Sequence, residues 1–220
     1  MGTRKRGTVN SQTVVTQLEN NEPILVVDVR SDSQFQNGHP SGASHDNYLD
    51  SAVLEKRVNT IQNRLPEVAS SYEIILVDQD GTLAEQAAQT MSDMGIKTRY
   101  LDGGMNNWNQ DLVSSSQTSI NTEELMQKMK VNEDIYLLDV REPGELLQSK
   151  IDGAVNIPLA EIFEPNGMDE IPTDKPVIVI CGSGNRATIA TYALAQENID
   201  FQVLEGGMKA WNSSIEQMGI

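Results

Sequence analysis

The chain has 220 residues, a net charge of −16 and a sequence pI of about 4.4. So acidic a surface repels phosphate backbones, which argues against a nucleic-acid partner. Apolar residues make up 38% and charged residues 22%, with no low-complexity run, as in an ordinary globular protein long enough for two small domains.

The basic cluster Thr3–Gly7 is followed by no apolar segment, so no secretory signal is expected. No later stretch approaches the apolar run needed to span a bilayer, so no membrane partner is expected either. A single cysteine excludes an intrachain disulfide. The two histidines, His39 and His45, both lie in the first half, so a His/Cys metal cluster around Cys181 has no support and no metal is expected. These features fit a reducing cytoplasm.

In chain order, Ile24–Val29 and Ile74–Val77 are short, nearly all-apolar runs, as expected of strands covered on both faces. The polar stretch Ser114-Ser115-Ser116-Gln117-Thr118 has linker composition. Beyond it, Asn121 followed three residues later by Glu124 predicts a helix start. Ile135–Val140 and Val177–Ile180 are again apolar strands, and Ala187–Asn198 places Ala190, Ala193 and Leu194 at helical spacing. Strands alternating with helices predict a mainly parallel sheet with helices on both faces, an α/β fold with its site beyond the carboxyl ends of the strands.

The same pieces occur twice. Val26-Val27-Asp28-Val29-Arg30 recurs as Leu137-Leu138-Asp139-Val140-Arg141, and Ser41-Gly42-Ala43 as Asp152-Gly153-Ala154, both at an offset of 111 residues. Ile74–Val77 recurs as Val177–Ile180, and Leu101-Asp102-Gly103-Gly104-Met105 with Trp108 as Leu204-Glu205-Gly206-Gly207-Met208 with Trp211, both at an offset of 103. The second copy is therefore 8 residues shorter in its middle. Several matched blocks in one order identify two copies of one domain, with expected boundaries 1–116 and 117–220.

The chemistry concentrates after Val177–Ile180, in Cys181-Gly182-Ser183-Gly184-Asn185-Arg186. A strand delivers the cysteine to the sheet edge, two glycines allow a tight turn with N–H groups aimed inward, and the following helix adds its positive end. These features stabilise a thiolate or a bound anion and predict a nucleophile near neutral pH. Arg186 adds a positive charge and a forked donor for an oxyanion. A lone cysteine at a strand end is more often a buried structural residue. The adjoining glycines, arginine and helix start point the other way.

Asp139-Val140-Arg141-Glu142, Ile151 to Pro158, the Cys181 loop and Glu205 to Trp211 together resemble the motifs of tandem rhodanese-like proteins, in the family's order. Asp28-Val29-Arg30, Gly38 to Ala43 and Asp102 to Trp108 carry the resemblance in the first copy. It implies two α/β domains around a parallel sheet and sulfur transfer through a persulfide on Cys181. Gly182, Ser183, Gly184, Asn185 and Arg186 would bind a small anionic sulfur donor, and cyanide, a thiol or a protein would accept the sulfur, without a cofactor. The first copy departs from the pattern: Asp78 stands at the cysteine position and Leu83 at the arginine position, although Gly81 is kept. It is expected to be inactive and to pack on the second domain, with Asp78 capping the following helix.

The resemblance also separates related chemistries. Rhodanese-like phosphatases have a loop one residue longer, so Arg186, five positions after Cys181, implies poor phosphatase activity. The arginine at the loop end favours thiosulfate or a persulfide as donor over mercaptopyruvate. The alternative to an enzyme is a sulfur carrier or binding module serving a protein partner. Asp139 and Arg141, kept in both copies, are expected to form a structural ion pair. His39 and His45 are expected to be ordinary loop residues, and Trp108 and Trp211 packing residues.

Overall fold

A computed structural model of the chain describes residues 7–47, 51–115 and 118–218. Thr3–Arg6 of the basic cluster and Ser116 and Gln117 of the linker lie outside the described residues. The chain divides into two compact units, Met1–Ser115 and Ser116–Ile220.

The first unit runs β1 (Thr8–Val9), α1 (Ser11–Glu19), β2 (Ile24–Asp28), α2 (Asp32–Asn37), β3 (Ala43–His45), α3 (Ser51–Arg64), α4 (Pro66–Ser71), β4 (Glu73–Val77), α5 (Thr82–Asp93), β5 (Thr98–Leu101) and a 3₁₀ turn at Gly104–Asn107. The second runs β6 (Ser119–Ile120), α6 (Thr122–Lys130), β7 (Tyr136–Asp139), α7 (Pro143–Leu146), β8 (Val155–Asn156), α8 (Leu159–Ile162), β9 (Val177–Ile180), α9 (Asn185–Gln196), β10 (Phe201–Leu204) and α10 (Gly207–Met218). Each unit holds a five-stranded sheet, in the orders β1-β5-β4-β2-β3 and β6-β10-β9-β7-β8, and every pairing within them is parallel. The change of offset falls between β8 and β9. There the second unit has only short α8 and turns, where the first has α3 and α4 between β3 and β4.

Every residue of β2 and of β9 is buried, which explains their unbroken apolar runs. Alternation along the strands sends Ile24, Val26, Ile75 and Val77 to one face, where they pack with Val14 of α1, Phe35 of α2, Met105 and Trp108. The intervening Leu25, Val27, Ile74 and Leu76 face the other side, where α5 packs on β4 and β5. In the second unit Ile178, Ile180, Leu204, Leu125 of α6 and Met208 and Trp211 of α10 form one core, and α9 packs on β9 and β10. Helices thus cover both faces of each sheet.

Local signals set the helix ends. Asn121 caps α6: its Oδ1 accepts the Glu124 N–H at 2.9 Å, and Glu124 Oε2 accepts the Asn121 N–H at 3.1 Å. Helix α9 begins at Asn185, two residues before the predicted start, because Gly184 at φ +95° turns the chain directly from loop to helix. It stops before Asn198, whose φ of +53° is the left-handed conformation that ends helices. Among the described residues, no helix is long and apolar enough to cross a membrane, and no group of His, Cys, Asp and Glu side chains is arranged to hold a metal ion.

Both histidines serve the first unit's interior. His39 is buried and stacks on Phe35, with ring centroids 3.7 Å apart and 10° between planes. Its Nδ1 donates to the Phe35 carbonyl oxygen at 2.7 Å, since a carbonyl can only accept. His45 Nε2 likewise donates to the Arg30 carbonyl at 2.8 Å. Burial pushes the His39 pKa below its ordinary 6.5; the Phe35 bond and the Asp28 charge oppose this, and Arg30 and His45 add to it. Below pH 6.5 the unfolded chain therefore binds more protons at this site than the folded one, so the first unit loses stability as pH falls from there towards the lowered folded value. Denaturant unfolding of Trp211→Phe, with Trp108 reporting the first unit, should show this slope, and adding His39→Gln should flatten it.

Candidate active site

In each sheet the chain leaves the central strands in opposite directions, from β2 towards β3 and from β4 towards β5, and likewise from β7 to β8 and from β9 to β10. The crevice of such a sheet opens beyond the carboxyl ends of the two strands at that switch. Strands β7 and β9 are neighbours with Asp139 opposite Ile180. The segments that follow them, 140–146 and 181–186, therefore meet at the crevice.

Cys181 follows β9 directly and is 1% exposed. The Gly184 N–H donates to its Sγ at 3.1 Å. Two bonds from another element set the loop's peptide orientations: the N–H of Met208 donates to the Cys181 carbonyl at 2.8 Å, and the N–H of Lys209 to the Gly182 carbonyl at 3.1 Å. With these carbonyls held by the start of α10, the loop is fixed in the turn that brings the Gly184 N–H to the sulfur. Gly207 permits this approach. A Cβ there would lie 2.2 Å from the Cys181 carbonyl oxygen and 2.8 Å from the Ser183 nitrogen, and its φ is +54°. Ser183 is exposed at the loop tip, Gly182 and Gly184 are half-buried, and Asn185 is buried in the first turn of α9.

Arg186 departs from expectation. Its guanidinium is no unoccupied fork for an oxyanion: Nη1 lies 2.6 Å from Glu145 Oε2 and Nη2 2.7 Å from Glu145 Oε1, a two-bond pair that matches the charge within the protein. Glu145 Oε2 also accepts the Glu142 N–H at 3.1 Å. The Arg186 hydrogen bonds, partly opposed by burial and aided by that N–H and the nearby arginines, push the Glu145 carboxyl down to about 2. Glu145 raises the Arg186 pKa in turn. Sequence reasoning missed Glu145, which lies 41 residues before its partner, although the repeat held the signal. Its counterpart at the offset of 111 is Gln34, and that of Arg186 at 103 is Leu83, so both charges vanish together.

A family model for the rhodanese-like domain matches residues 11–111 and again 121–214. The chain belongs to the rhodanese-like family. A protein of Allochromatium vinosum named sulfurtransferase is 38% identical over 93 residues, covering 42% of this chain and 85% of its own. A solved rhodanese-related protein from Thermoplasma volcanium is 35% identical over 44% of this chain and 91% of its own, with a TM-score of 0.40. A thiosulfate sulfurtransferase from Pseudomonas aeruginosa aligns with 94% of this chain and 42% of its own, at 21% identity and a TM-score of 0.41.

The first rhodanese-like domain shows what its version of the loop binds. Asp78 is buried at the position of Cys181. Its Oδ1 accepts the Gly81 N–H at 2.5 Å, and its Oδ2 accepts the N–H groups of Leu83 at 2.8 Å and Ala84 at 3.1 Å. The carboxylate caps α5 and fills the cradle with the protein's own anion. At the offset of 103 the same donors in the second domain are the N–H groups of Gly184, Arg186 and Ala187. Met105 and Asn106 hold the Asp78 and Gln79 carbonyls as Met208 and Lys209 hold theirs. The Asp139–Arg141 pair is structural: Arg141 Nη2 contacts Asp139 Oδ2 at 2.7 Å and the Ser149 carbonyl at 2.9 Å, and Arg30 repeats this with Asp28 and Gly38, each at 2.7 Å. Trp211 is 9% exposed in the core.

Gly207→Ala must push the Cys181 loop out of place. It should slow the reaction of Cys181 with a sulfane-sulfur donor at least tenfold, read by intact mass against time. Gly104→Ala puts the same strain on the Asp78 loop, with a Cβ 2.6 Å from the Asp78 carbonyl oxygen. It should leave that rate within about twofold of the parent.

Proposed function

We propose that the chain is a single-site sulfurtransferase in which Cys181 carries a sulfane sulfur, taken from a small anionic donor such as thiosulfate or a persulfide. The observation that carries this reading is the cradle itself. At the repeat offset of 103 the N–H groups of Gly184, Arg186 and Ala187 correspond to the donors that grip the Asp78 carboxylate, and the Gly184 N–H reaches Sγ. The names of family relatives, the A. vinosum sulfurtransferase among them, support sulfur transfer as the chemistry.

In the first half-reaction the Cys181 thiolate attacks the outer sulfur of the donor. The donor's S–S bond breaks, sulfite leaves in the case of thiosulfate, and Cys181–S–S⁻ remains. The negative charge then sits on the terminal sulfur, within the cradle, where preorganised N–H groups stabilise it without reorganising. In the second half-reaction an acceptor such as cyanide or a thiol attacks that sulfur and regenerates the Cys181 thiolate. One cysteine serves both halves, and no step calls on a cofactor. The first domain takes no part in the chemistry, because a carboxylate cannot carry a persulfide and Asp78 already occupies its cradle.

Donor treatment should add one sulfur atom, about 32 Da, to the chain, and cyanide should remove it as thiocyanate. Cys181→Ser should abolish both. Asp78→Ala should keep turnover while lowering the stability of the first domain by about 1–2 kcal/mol through loss of the cap. No added mass with thiosulfate or an alkyl persulfide would overturn the proposal. So would rapid hydrolysis of an aryl phosphate that depends on Cys181.

A further inference from the structure

Resting on the reading of Cys181 as the sulfur-bearing residue, we propose that Glu145 determines donor specificity, favouring monoanionic alkyl persulfides over dianionic donors such as thiosulfate.

The internal repeat separates what the fold needs from what this site needs. The Asp139–Arg141 pair recurs as Asp28–Arg30 at matching distances, so it belongs to the fold. The Glu145–Arg186 pair does not recur. Its counterparts Gln34 and Leu83 are uncharged, and the first domain holds the equivalent segments together without it. Both charges accompany the cysteine and are absent beside Asp78.

The pair also lies against the Cys181 loop. A Cβ on Gly182 would sit 3.3 Å from Arg186 Nη2 and 4.0 Å from Glu145 Oε1, so the two charged groups lie against the glycine of the loop. In the first domain Gln79 fills this place. Its Nε2 donates to Asn106 Oδ1 at 2.7 Å, and it accepts the Gln34 Nε2–H at 3.2 Å, so three side chains close over the loop. Glycine at 182 places no side chain over the pair. Of the two partners the carboxylate is the more accessible, at 37% exposure against 13% for Arg186. The guanidinium charge is thus spent on Glu145, and the group presented to an incoming donor is the acid. Arg141 is committed to Asp139, and Lys209 has an exposed side chain where water and salt screen it.

This arrangement distinguishes donors by charge. An alkyl persulfide R–S–S⁻ brings one negative charge. The Cys181 thiolate attacks its terminal sulfur, the S–S bond breaks and R–S⁻ leaves. Thiosulfate passes through the same attack but brings two charges and expels sulfite with both, next to Glu145. The extra charge meets repulsion that a monoanion largely avoids.

The test uses the full chain, with thiosulfate and the persulfide of 2-mercaptoethanol as donors and intact mass and thiocyanate release as readouts. Glu145→Gln keeps the shape and the oxygen facing the Glu142 N–H, and unmasks the Arg186 charge. It should raise kcat/KM for thiosulfate roughly tenfold relative to that for the persulfide, whereas Glu123→Gln, an exposed acid in the first turn of α6, should leave the ratio unchanged. In the unsubstituted protein, added salt should speed thiosulfate more than the persulfide, a measurement that does not depend on how any variant folds. An unchanged donor ratio in Glu145→Gln, or an equal salt response for both donors, would overturn the role of Glu145. Failure of both donors to add sulfur to Cys181 would instead overturn the reading on which it rests.

Discussion

Two hydrogen bonds, from the Met208 and Lys209 N–H groups to the carbonyls of Cys181 and Gly182, fix the course of the Cys181 loop. Fixing the first two carbonyls against α10 pins the start of the loop, and the turn that follows brings the Gly184 N–H to the sulfur. The approach is so close that only glycine fits at 207. The last strand-to-helix turn of the domain is therefore part of the site, though it brings no reactive side chain. This accounts for the recurrence of the Gly-Gly-Met turn in both copies. Each has a loop to hold, whether it carries a cysteine or an aspartate.

The second copy can be read against the first as a control within one molecule. Features present in both, such as the Asp-x-Arg pairs, the Gly-Gly-Met turn and the parallel sheet, serve the fold. The pair Glu145–Arg186 and the glycine at 182 are present only beside Cys181, and the proposed chemistry is where they find a use. The first domain answers each of these losses locally. Asp78 supplies the anion, Leu83 needs no partner charge, and Gln34, Gln79 and Asn106 close the space above the loop. A cradle of N–H groups left empty and buried would cost the free energy of several unsatisfied donors. Aspartate removes that cost without the hazard of a reactive thiol.

Much of this was legible in the sequence. The central strands announced themselves as apolar runs because parallel strands are buried on both faces, and the repeat exposed the domain count through blocks that cannot move relative to the loop they build. The edge strands β1, β6 and β8 have two residues each, too few to show any period. Asp78 was readable as a cap because capping is local. Glu145 was not readable from its surroundings, where it sits in a short helix start as an ordinary capping acid. Its role depends on Arg186, and the two meet only because β7 and β9 pair side by side. The pairing of Arg186 with Glu145 was therefore not foreseen, since a sequence lists a charge without showing what neutralises it.

The overall charge of −16 gives the local pairing its weight. An anion approaching this chain finds no general attraction, and any positive potential at the loop must come from the backbone N–H groups and the end of α9. Those dipoles act over a few ångströms and grip one charged atom at contact distance. On the proposed reading, a loop built this way suits a terminal sulfur that carries its charge on the atom being transferred. It suits less well a donor whose charge is spread over oxygens that remain outside the cradle, where the nearest compensated cation is already bound to Glu145. On the proposed reading, the backbone provides affinity for the sulfur, and the side-chain pair sets how much additional negative charge accompanies it.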